Sequence, residues 1–251
     1  MRLKDRVAIV TGGGKGIGSA YVHGLSREGA KVVVADIDLA GATDVAGQIR
    51  ASGAEAVAVE VDISDPESTE EMAKSAISAF GGIDILINNA SLMSALPRRP
   101  WYEIPVDEWD RVMSVNLRGM FLCCRAVFGT MKKQKYGKIV NISSGRIYEG
   151  MPNRLHYTTS KAGVVGFTRA LAREVGDDKI CVNAISPGFT QSETQVATSS
   201  AEYMKAHIDR RCFKRVEYPD DLVGTVVFLS SAESDFMTGQ LLNVDGGYSM
   251  H

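Results

Sequence analysis

The residues of this chain with the clearest chemical potential are Tyr157 and Lys161, four positions apart in a segment of helical pattern. On a helix this spacing places both side chains on one face, about 6 Å apart along the axis. Free tyrosine titrates near ~10 and supplies little phenolate at neutral pH, but a neighbouring cation favours that anion. The pair can therefore act as a tuned acid and base, although surface residues often show the same spacing.

A glycine-rich stretch near the N-terminus has the context of a phosphate-binding turn. It lies between an apolar run at residues 6–10 and a helical pattern that continues to residue 29. Backbone N–H groups and the helix dipole can receive a pyrophosphate there, and missing side chains permit close approach. The spacing is Gly12-x-x-x-Gly16-x-Gly18 rather than Gly-x-Gly-x-x-Gly, and ordinary tight turns also use glycine.

Asp36 ends the second predicted strand, where a carboxylate can accept hydrogen bonds from the adenosine ribose hydroxyls of a dinucleotide. Together with the glycine turn, it predicts dinucleotide binding. A carboxylate here would repel the 2′-phosphate of NADP, whereas Lys15 inside the turn could pair with that phosphate. Because an exposed lysine usually contributes little, the sequence favours NAD over NADP.

Strand and helix patterns alternate along the chain. Apolar runs predict strands at residues 6–10, 31–35, 56–61, 83–87, 138–142, 180–184 and 240–244. The alternation predicts an α/β fold, a doubly wound parallel sheet of about seven strands with helices on both faces. No linker interrupts it, so residues 1–251 are expected to form one domain, with a substrate loop and helices at about 188–215. Residues 187–200, rich in Ser, Thr and Gln, are expected to be mobile and to close over a ligand.

The composition argues against several partners. Net charge is −2, with 23% charged and 45% hydrophobic residues, so no basic field favours nucleic acid or an anionic membrane. The first residues lack the apolar stretch of a signal peptide, and no later segment is predicted to span a bilayer. The four cysteines have no metal-binding spacing and are expected to be reduced thiols. We therefore expect a cytoplasmic protein without a metal site.

These motifs together resemble the short-chain dehydrogenase/reductase family over essentially the whole chain. The matching residues, in family order and spacing, are Thr11-Gly12-x-x-x-Gly16-Ile17-Gly18, Asp62, Asn88-Asn89-Ala90, Asn116, Ser143-Ser144, Tyr157-x-x-x-Lys161 and Pro187-Gly188. One departure is Ser91, which replaces the glycine that commonly follows Asn-Asn-Ala. The resemblance implies a homotetrameric oxidoreductase that transfers a hydride between a nicotinamide cofactor and a secondary alcohol or ketone.

The resemblance also implies roles for individual residues. Tyr157 would be the general acid and base, and Ser144 would hydrogen-bond the same substrate oxygen. Lys161 would bind the nicotinamide ribose and lower the tyrosine pKa, while Asn116 would anchor a water that links Lys161 to solvent. The cofactor would contact Gly12, Gly14, Lys15, Gly16, Ile17, Gly18, Asp36, Ile37, Asp62, Ile63, Asn89, Ala90, Tyr157, Lys161, Pro187, Gly188 and Thr190.

The substrate pocket is expected to be largely apolar and to include Met93, Arg146, Tyr148, Met151 and Phe189. This set suits a small hydrophobic alcohol or ketone, and the chain is similar to NAD-dependent dehydrogenases of aromatic or alicyclic alcohols. Arg146 and Arg154 could meet a carboxylate or phosphate, or could be exposed to solvent. Three alternatives stay open: an NADPH-dependent 3-oxoacyl thioester reductase, a sugar or polyol dehydrogenase, and a non-catalytic dinucleotide-binding protein.

Overall fold

A parallel sheet forms the centre of the protein. The computed structural model describes residues 1–93, 96–192 and 201–250, without the side chains of residues 201 and 203. In these residues the strands are β1 (Val7–Thr11), β2 (Lys31–Asp36), β3 (Ala56–Glu60), β4 (Ile85–Asn88), β5 (Gly137–Ile142), β6 (Ile180–Pro187) and β7 (Leu241–Val244). They form one seven-stranded sheet in the order β3-β2-β1-β4-β5-β6-β7, and every neighbouring pair is parallel. The predicted doubly wound α/β fold is confirmed.

Helices cover both faces of the sheet. They are α1 (Gly16–Arg27), α2 (Leu39–Ala51), α3 (Pro66–Phe80), α4 (Val106–Met113), α5 (Met120–Gln134), α6 (Arg146–Glu149), α7 (Leu155–Val175), α8 (Ala201–Arg210) and α9 (Asp220–Ser230). A π-helical segment, Ser114–Gly119, joins α4 to α5, so these form one long helix in pieces. The short α6 lies in residues 143–154, where the sequence pattern predicts only a loop.

Two apolar cores lie on opposite sides of the sheet. Successive residues of a strand point to opposite faces. Ala8 and Val10 of β1 therefore pack in the core that includes α1, α2 and α9, whereas Ile9 packs in the core that includes α3, α5 and α7. Because both faces are covered, the central strands are continuous apolar runs, which is why the sequence locates them well.

The helix Val106–Gln134 is long and apolar enough by length and composition to cross a membrane. The sequence predicts no membrane-spanning segment. Cys123, Val127 and Met131 of this helix are fully or almost fully buried in the core beneath the sheet. Packing against the sheet therefore accounts for its apolar composition.

The strand order places a crevice at the carboxyl edge of the sheet. Strands are added in one direction from β1 to β3 and in the other from β4 to β7, so the connections diverge between β1 and β4. Ligands of doubly wound sheets bind in this position. Strand β6 ends at Pro187, where the predicted substrate segment begins. Residues 187–200 are predicted to be mobile, and residues 193–200 of that segment lie outside the described residues.

Gly24 of α1 lies against α9 with no room for a side chain. A Cβ added to Gly24 would lie 2.3 Å from Val223 Cγ1. Alanine normally favours a helix over glycine, but here we expect Gly24→Ala to lower the free energy of unfolding by roughly 1–3 kcal/mol through overpacking. Urea denaturation should show that Val223→Ala, added to Gly24→Ala, restores most of this loss. Gly47→Ala in α2 is the control, since outside the helix backbone the atom nearest to an added Cβ would be Arg50 Nη2, 4.0 Å away. An equal loss there would contradict the explanation.

Candidate active site

A cavity of about 560 Å³ opens at the carboxyl edge of the sheet. Its walls come from segments that follow β1 to β6 and from α7 and α8. The residues predicted from the sequence that line it are Gly12, Lys15, Gly16, Ile17, Asp36, Ile37, Asp62, Ile63, Asn89, Ala90, Met93, Ser144, Arg146, Tyr157, Lys161, Pro187, Gly188, Phe189 and Thr190. The described residues contain no group of three or more His, Cys, Asp or Glu placed to hold a metal ion.

The structure places two of the predicted cofactor glycines behind the cavity wall. A Cβ on Gly18 would lie 1.9 Å from the Gly12 carbonyl oxygen, so Gly18 lets α1 approach the turn. A Cβ on Gly14 would lie 2.9 Å from the Ala42 nitrogen. Both glycines therefore allow close packing around the turn and do not themselves line the cavity.

Tyr148 and Met151, predicted for the substrate pocket, do not line the cavity. Tyr148 belongs to the short α6, and its ring lies close enough to Arg169 and Asp245 for their charges to affect its pKa. Met151 follows α6, and its carbonyl oxygen accepts a hydrogen bond from Arg146. The sequence pattern did not predict α6, which is why it put both side chains in the pocket.

Hydrogen bonds between the ends of β1 and β4 fix the glycine turn. The Asn89 side-chain amide donates to the carbonyl oxygens of Thr11 and Gly12 at 3.0 Å each. The Thr11 hydroxyl in turn accepts the backbone N–H groups of Asn89 and Ala90 at 3.1 Å each. Gly12 has φ +64°, and a Cβ there would lie 2.9 Å from Ala90 Cα. Only glycine fits, and the open backbone is available to a phosphate.

Asp36 presents a fixed carboxylate to the cavity. Its Oδ2 accepts the Gly14 N–H at 2.9 Å, and its Oδ1 accepts the Asp38 N–H at 3.0 Å. The residue is only 6% exposed, whereas Lys15 in the glycine turn is exposed. A carboxylate held this way can accept hydrogen bonds from a ribose diol at the adenosine end of a dinucleotide.

Ser144, Tyr157 and Lys161 meet at the other end of the cavity. Tyr157 is buried, and Ser144 lies close enough to lower the pKa of its phenol. Lys161 Nζ donates to the Ile142 carbonyl oxygen at 2.8 Å and lies 5.8 Å from the centre of the Tyr157 ring. The Ser143 hydroxyl donates to the Lys161 carbonyl oxygen, so Ser144 is the serine beside the phenol, as the spacing suggested.

Burial dominates the titration of this group. It raises the pKa of Tyr157, and the hydrogen bond from Ser144 and the charges of Arg146 and Arg154 oppose that rise. Burial also lowers the pKa of Lys161 to about 8. The sequence analysis expected Lys161 to lower the tyrosine pKa. In the described residues, the charges of Arg146 and Arg154 lower it as well.

Asn116 is buried behind the cavity in the π-helical segment. Its Oδ1 accepts the Leu92 N–H at 2.7 Å, and its Nδ2 donates to the Leu92 carbonyl oxygen and to Ser160 Oγ at 3.1 Å each. Ser160 Oγ donates to the Tyr157 carbonyl oxygen at 2.8 Å. Asn116 therefore ties the loop after β4 to α7, in addition to the water-anchoring role that the sequence resemblance implies.

Several cavity residues had no place in the sequence prediction: Arg98, Arg111, Ser114, Val115 and His207. His207 of α8 is stacked between Phe189 and Tyr248, with ring centres 4.9 Å and 5.1 Å away. Burial, with help from nearby arginines, lowers the pKa of His207 to about 4, so its imidazole is neutral at pH 7. The sequence predicts a substrate helix in this region, but no local pattern distinguishes His207 from its neighbours in that helix.

Comparisons with known proteins show which proteins this chain is similar to. A family model described as "Enoyl-(Acyl carrier protein) reductase" matches residues 12–249. An uncharacterized oxidoreductase of Mycobacterium tuberculosis is 44% identical over 97% of both chains. A (2S)-[(R)-hydroxy(phenyl)methyl]succinyl-CoA dehydrogenase subunit of Thauera aromatica is 37% identical over 100% of this chain and 99% of the relative. The crystal structure of a 3-ketoacyl-(acyl-carrier-protein) reductase from Brucella melitensis, complexed with NADH, matches with a TM-score of 0.90 at 34% identity, covering 99% of this chain and 100% of that one.

The buried Lys161 should make stability depend on pH. Its pKa is about 8 in the folded protein against an ordinary 10.5, so between these values the unfolded chain binds the extra proton and stability rises with pH. From pH ~7 to ~9.5, we expect the free energy of unfolding of the wild type to rise relative to Lys161→Met by about 2 kcal/mol. Chemical denaturation at both pH values measures this. Lys133→Met, at an exposed lysine of α5, controls for loss of a positive charge. Parallel pH profiles of wild type and Lys161→Met would contradict the assignment.

Proposed function

We propose that this chain, which belongs to the short-chain dehydrogenase/reductase family, transfers a hydride between NAD and a secondary alcohol or its ketone. The observation that carries the proposal is the cavity itself. It has the fixed carboxylate of Asp36 and an open glycine turn at one end, and Ser144, Tyr157 and Lys161 at the other. This arrangement suits a dinucleotide laid across the strand ends with its reactive ring beside the phenol.

The protein's own groups would handle the proton and the developing charge. When bound, the nicotinamide would donate the hydride in reduction and accept it in oxidation. In reduction, Tyr157 as a neutral phenol donates its proton to the carbonyl oxygen, and Ser144 hydrogen-bonds that oxygen as charge develops on it. In oxidation, Tyr157 takes the hydroxyl proton as a phenolate, which the charges of Arg146 and Arg154 favour.

A second candidate is reduction of 3-oxoacyl thioesters. It is supported by the likeness to the 3-ketoacyl-(acyl-carrier-protein) reductase of Brucella melitensis, which was solved with NADH. Consumption of NADH or NADPH with an acetoacetyl thioester would separate it from turnover of simple alcohols. A non-catalytic role is less well supported, because a protein that only binds a dinucleotide has no need for Ser144 and Tyr157 together beside the cavity.

The assembly and location of the enzyme are also proposals. Phe121 of α5 and Leu155 of α7 are each 45% exposed, which suits helix contacts between subunits of a homotetramer. Sedimentation would give the subunit number. We propose a cytoplasmic location because Cys123, Cys124 and Cys181 are free, buried thiols.

Replacing the tyrosine hydroxyl tests the mechanism. We expect Tyr157→Phe to lower kcat at least ~100-fold across a panel of aromatic, alicyclic and aliphatic secondary alcohols, since no group remains to move the proton. Its affinity for NADH, measured by fluorescence, should change little. Tyr136→Phe is the matched control, because Tyr136 precedes β5 at the opposite edge of the sheet. Substantial turnover by Tyr157→Phe would rule out the mechanism.

The role of Asp36 can be measured without a substrate. We expect the wild type to bind NADH more tightly than NADPH, and Asp36→Asn to reduce that preference about tenfold or more, because a charged hydrogen-bond acceptor is lost and a repulsion is removed. Lys15→Ala is the companion variant and should change the preference little, since Lys15 is exposed. Tighter binding of NADPH by the wild type would overturn the choice of NAD.

A further inference from the structure

The tyrosine end of the cavity is richer in arginine than the sequence analysis expected. Arg98, Arg146 and Arg154 all line it together with Tyr157. Arg154 is only 6% exposed, which is rare for an arginine in the absence of a specific task. Solvent exposure, which the sequence left open for Arg146 and Arg154, therefore does not explain Arg154.

Backbone and sulfur contacts hold these two guanidinium groups in place. Arg146 Nη2 donates to the carbonyl oxygens of Met151 and Pro152 at 3.1 Å each. Arg154 Nη2 donates to the Leu96 carbonyl oxygen at 3.0 Å, and its Nη1 lies 3.0 Å from Met93 Sδ. The two carbonyl oxygens orient the Arg146 guanidinium without neutralising its charge. Both groups are thus positioned before a ligand arrives, which lowers the entropy lost on binding.

The charge of Arg146 is weakly offset by its neighbours. No carboxylate of the described residues lies within ion-pair distance of Arg146, and its buried Nε has no hydrogen-bond partner among them. Glu149, in the same short helix, also lines the cavity; burial raises the pKa of its carboxyl group, the charge of Arg146 opposes that rise, and the two side chains form no ion pair. The wall beside the reactive phenol therefore keeps a positive potential.

This positive wall is close to the reacting oxygen. The charges of Arg146 and Arg154 act on the phenol of Tyr157 strongly enough to oppose the effect of its burial. An anion bound by these arginines would share the tyrosine end of the cavity with the carbon that gains or loses the hydride. The apolar side chains of Met93 and Phe189 line the same cavity and can receive the rest of the molecule.

We propose that the substrate is a hydroxy or oxo compound with an oxyanion, a carboxylate or a phosphate, close to its carbinol carbon, and that Arg146 and Arg154 bind this group. The inference rests on the proposed function and narrows its substrate class. The planar fork of arginine pairs with two oxygens of such an anion at once. A neutral alcohol would gain nothing from the arginine pair, so charge becomes the main specificity determinant.

Matched acids and esters test the proposal. The probes are 2-hydroxy-2-phenylacetate, 3-hydroxy-3-phenylpropanoate, their methyl esters, and 2-hydroxy-2-phenylethyl phosphate. With the wild type and NAD, we expect kcat/KM of at least one anion to exceed that of its neutral counterpart about tenfold or more. Arg146→Gln should lower kcat/KM for that anion about tenfold to a hundredfold, chiefly through KM, and far more than for the ester. The carboxylate and phosphate probes distinguish the two kinds of anion.

Two controls accompany these assays. Arg146→Lys keeps the charge and should recover part of the loss, whereas Arg173→Gln, at an exposed arginine of the same helix as Tyr157, should change nothing. Calorimetry of the same anions with the NADH-bound enzyme measures binding apart from turnover. Three results would each overturn the proposal. They are equal kcat/KM values for the acids and their esters, equal losses of kcat/KM for acid and ester in Arg146→Gln, and no binding of the anions by calorimetry.

These readouts separate the inference from the function on which it rests. Ester turnover that Tyr157→Phe abolishes, without any preference for the acid, would keep the dehydrogenase and remove the anion site. If anion binding depends on Arg146 but Tyr157→Phe is as active as the wild type, the anion site is supported and the proposed proton transfer is wrong.

Discussion

Desolvation of Tyr157 and Lys161 is the constraint on which the reactive end of this protein depends. Burial pushes both groups toward their neutral forms, raising the pKa of one and lowering the pKa of the other. The surrounding contacts work against that effect. Ser144 and two arginines lower the pKa of the phenol, and the Ile142 carbonyl oxygen accepts a hydrogen bond from the Lys161 ammonium. These contacts favour the charged forms against the effect of burial, and proton transfer at the phenol uses both of its protonation states.

Much of the fold was readable from the sequence because its main determinants are local. Strands covered on both faces, such as Val32-Val33-Val34 in β2, are continuous apolar runs, and glycine marks the turn where no side chain fits. The residues at the ends of successive parallel strands, such as Asp36 and Asn89, meet at one edge by topology alone. For this reason, most predicted cofactor residues line the cavity.

The remainder depended on contacts that local patterns do not encode. The short α6 turns Tyr148 away from the cavity, and nothing in the pattern of residues 143–154 indicated a helix. His207 arrives from a helix far along the chain, and Arg154 is buried although its residue type predicts exposure. Composition suggested an apolar pocket, but the placement of a few arginines decides its electrostatic character.

The π-helical segment has a geometric consequence for the whole long helix. Val112, Asn116, Met120 and Cys124 are spaced four residues apart and are all buried. In an uninterrupted α-helix, twelve residues at 3.6 per turn would leave Cys124 rotated about 120° from Val112. The wider turn at Ser114–Gly119 absorbs an angle close to that of one extra residue, about 100°. It therefore shifts the phase of the helix, so that Val112 and Asn116 contact the loop after β4 while Cys124 packs in the core against the sheet.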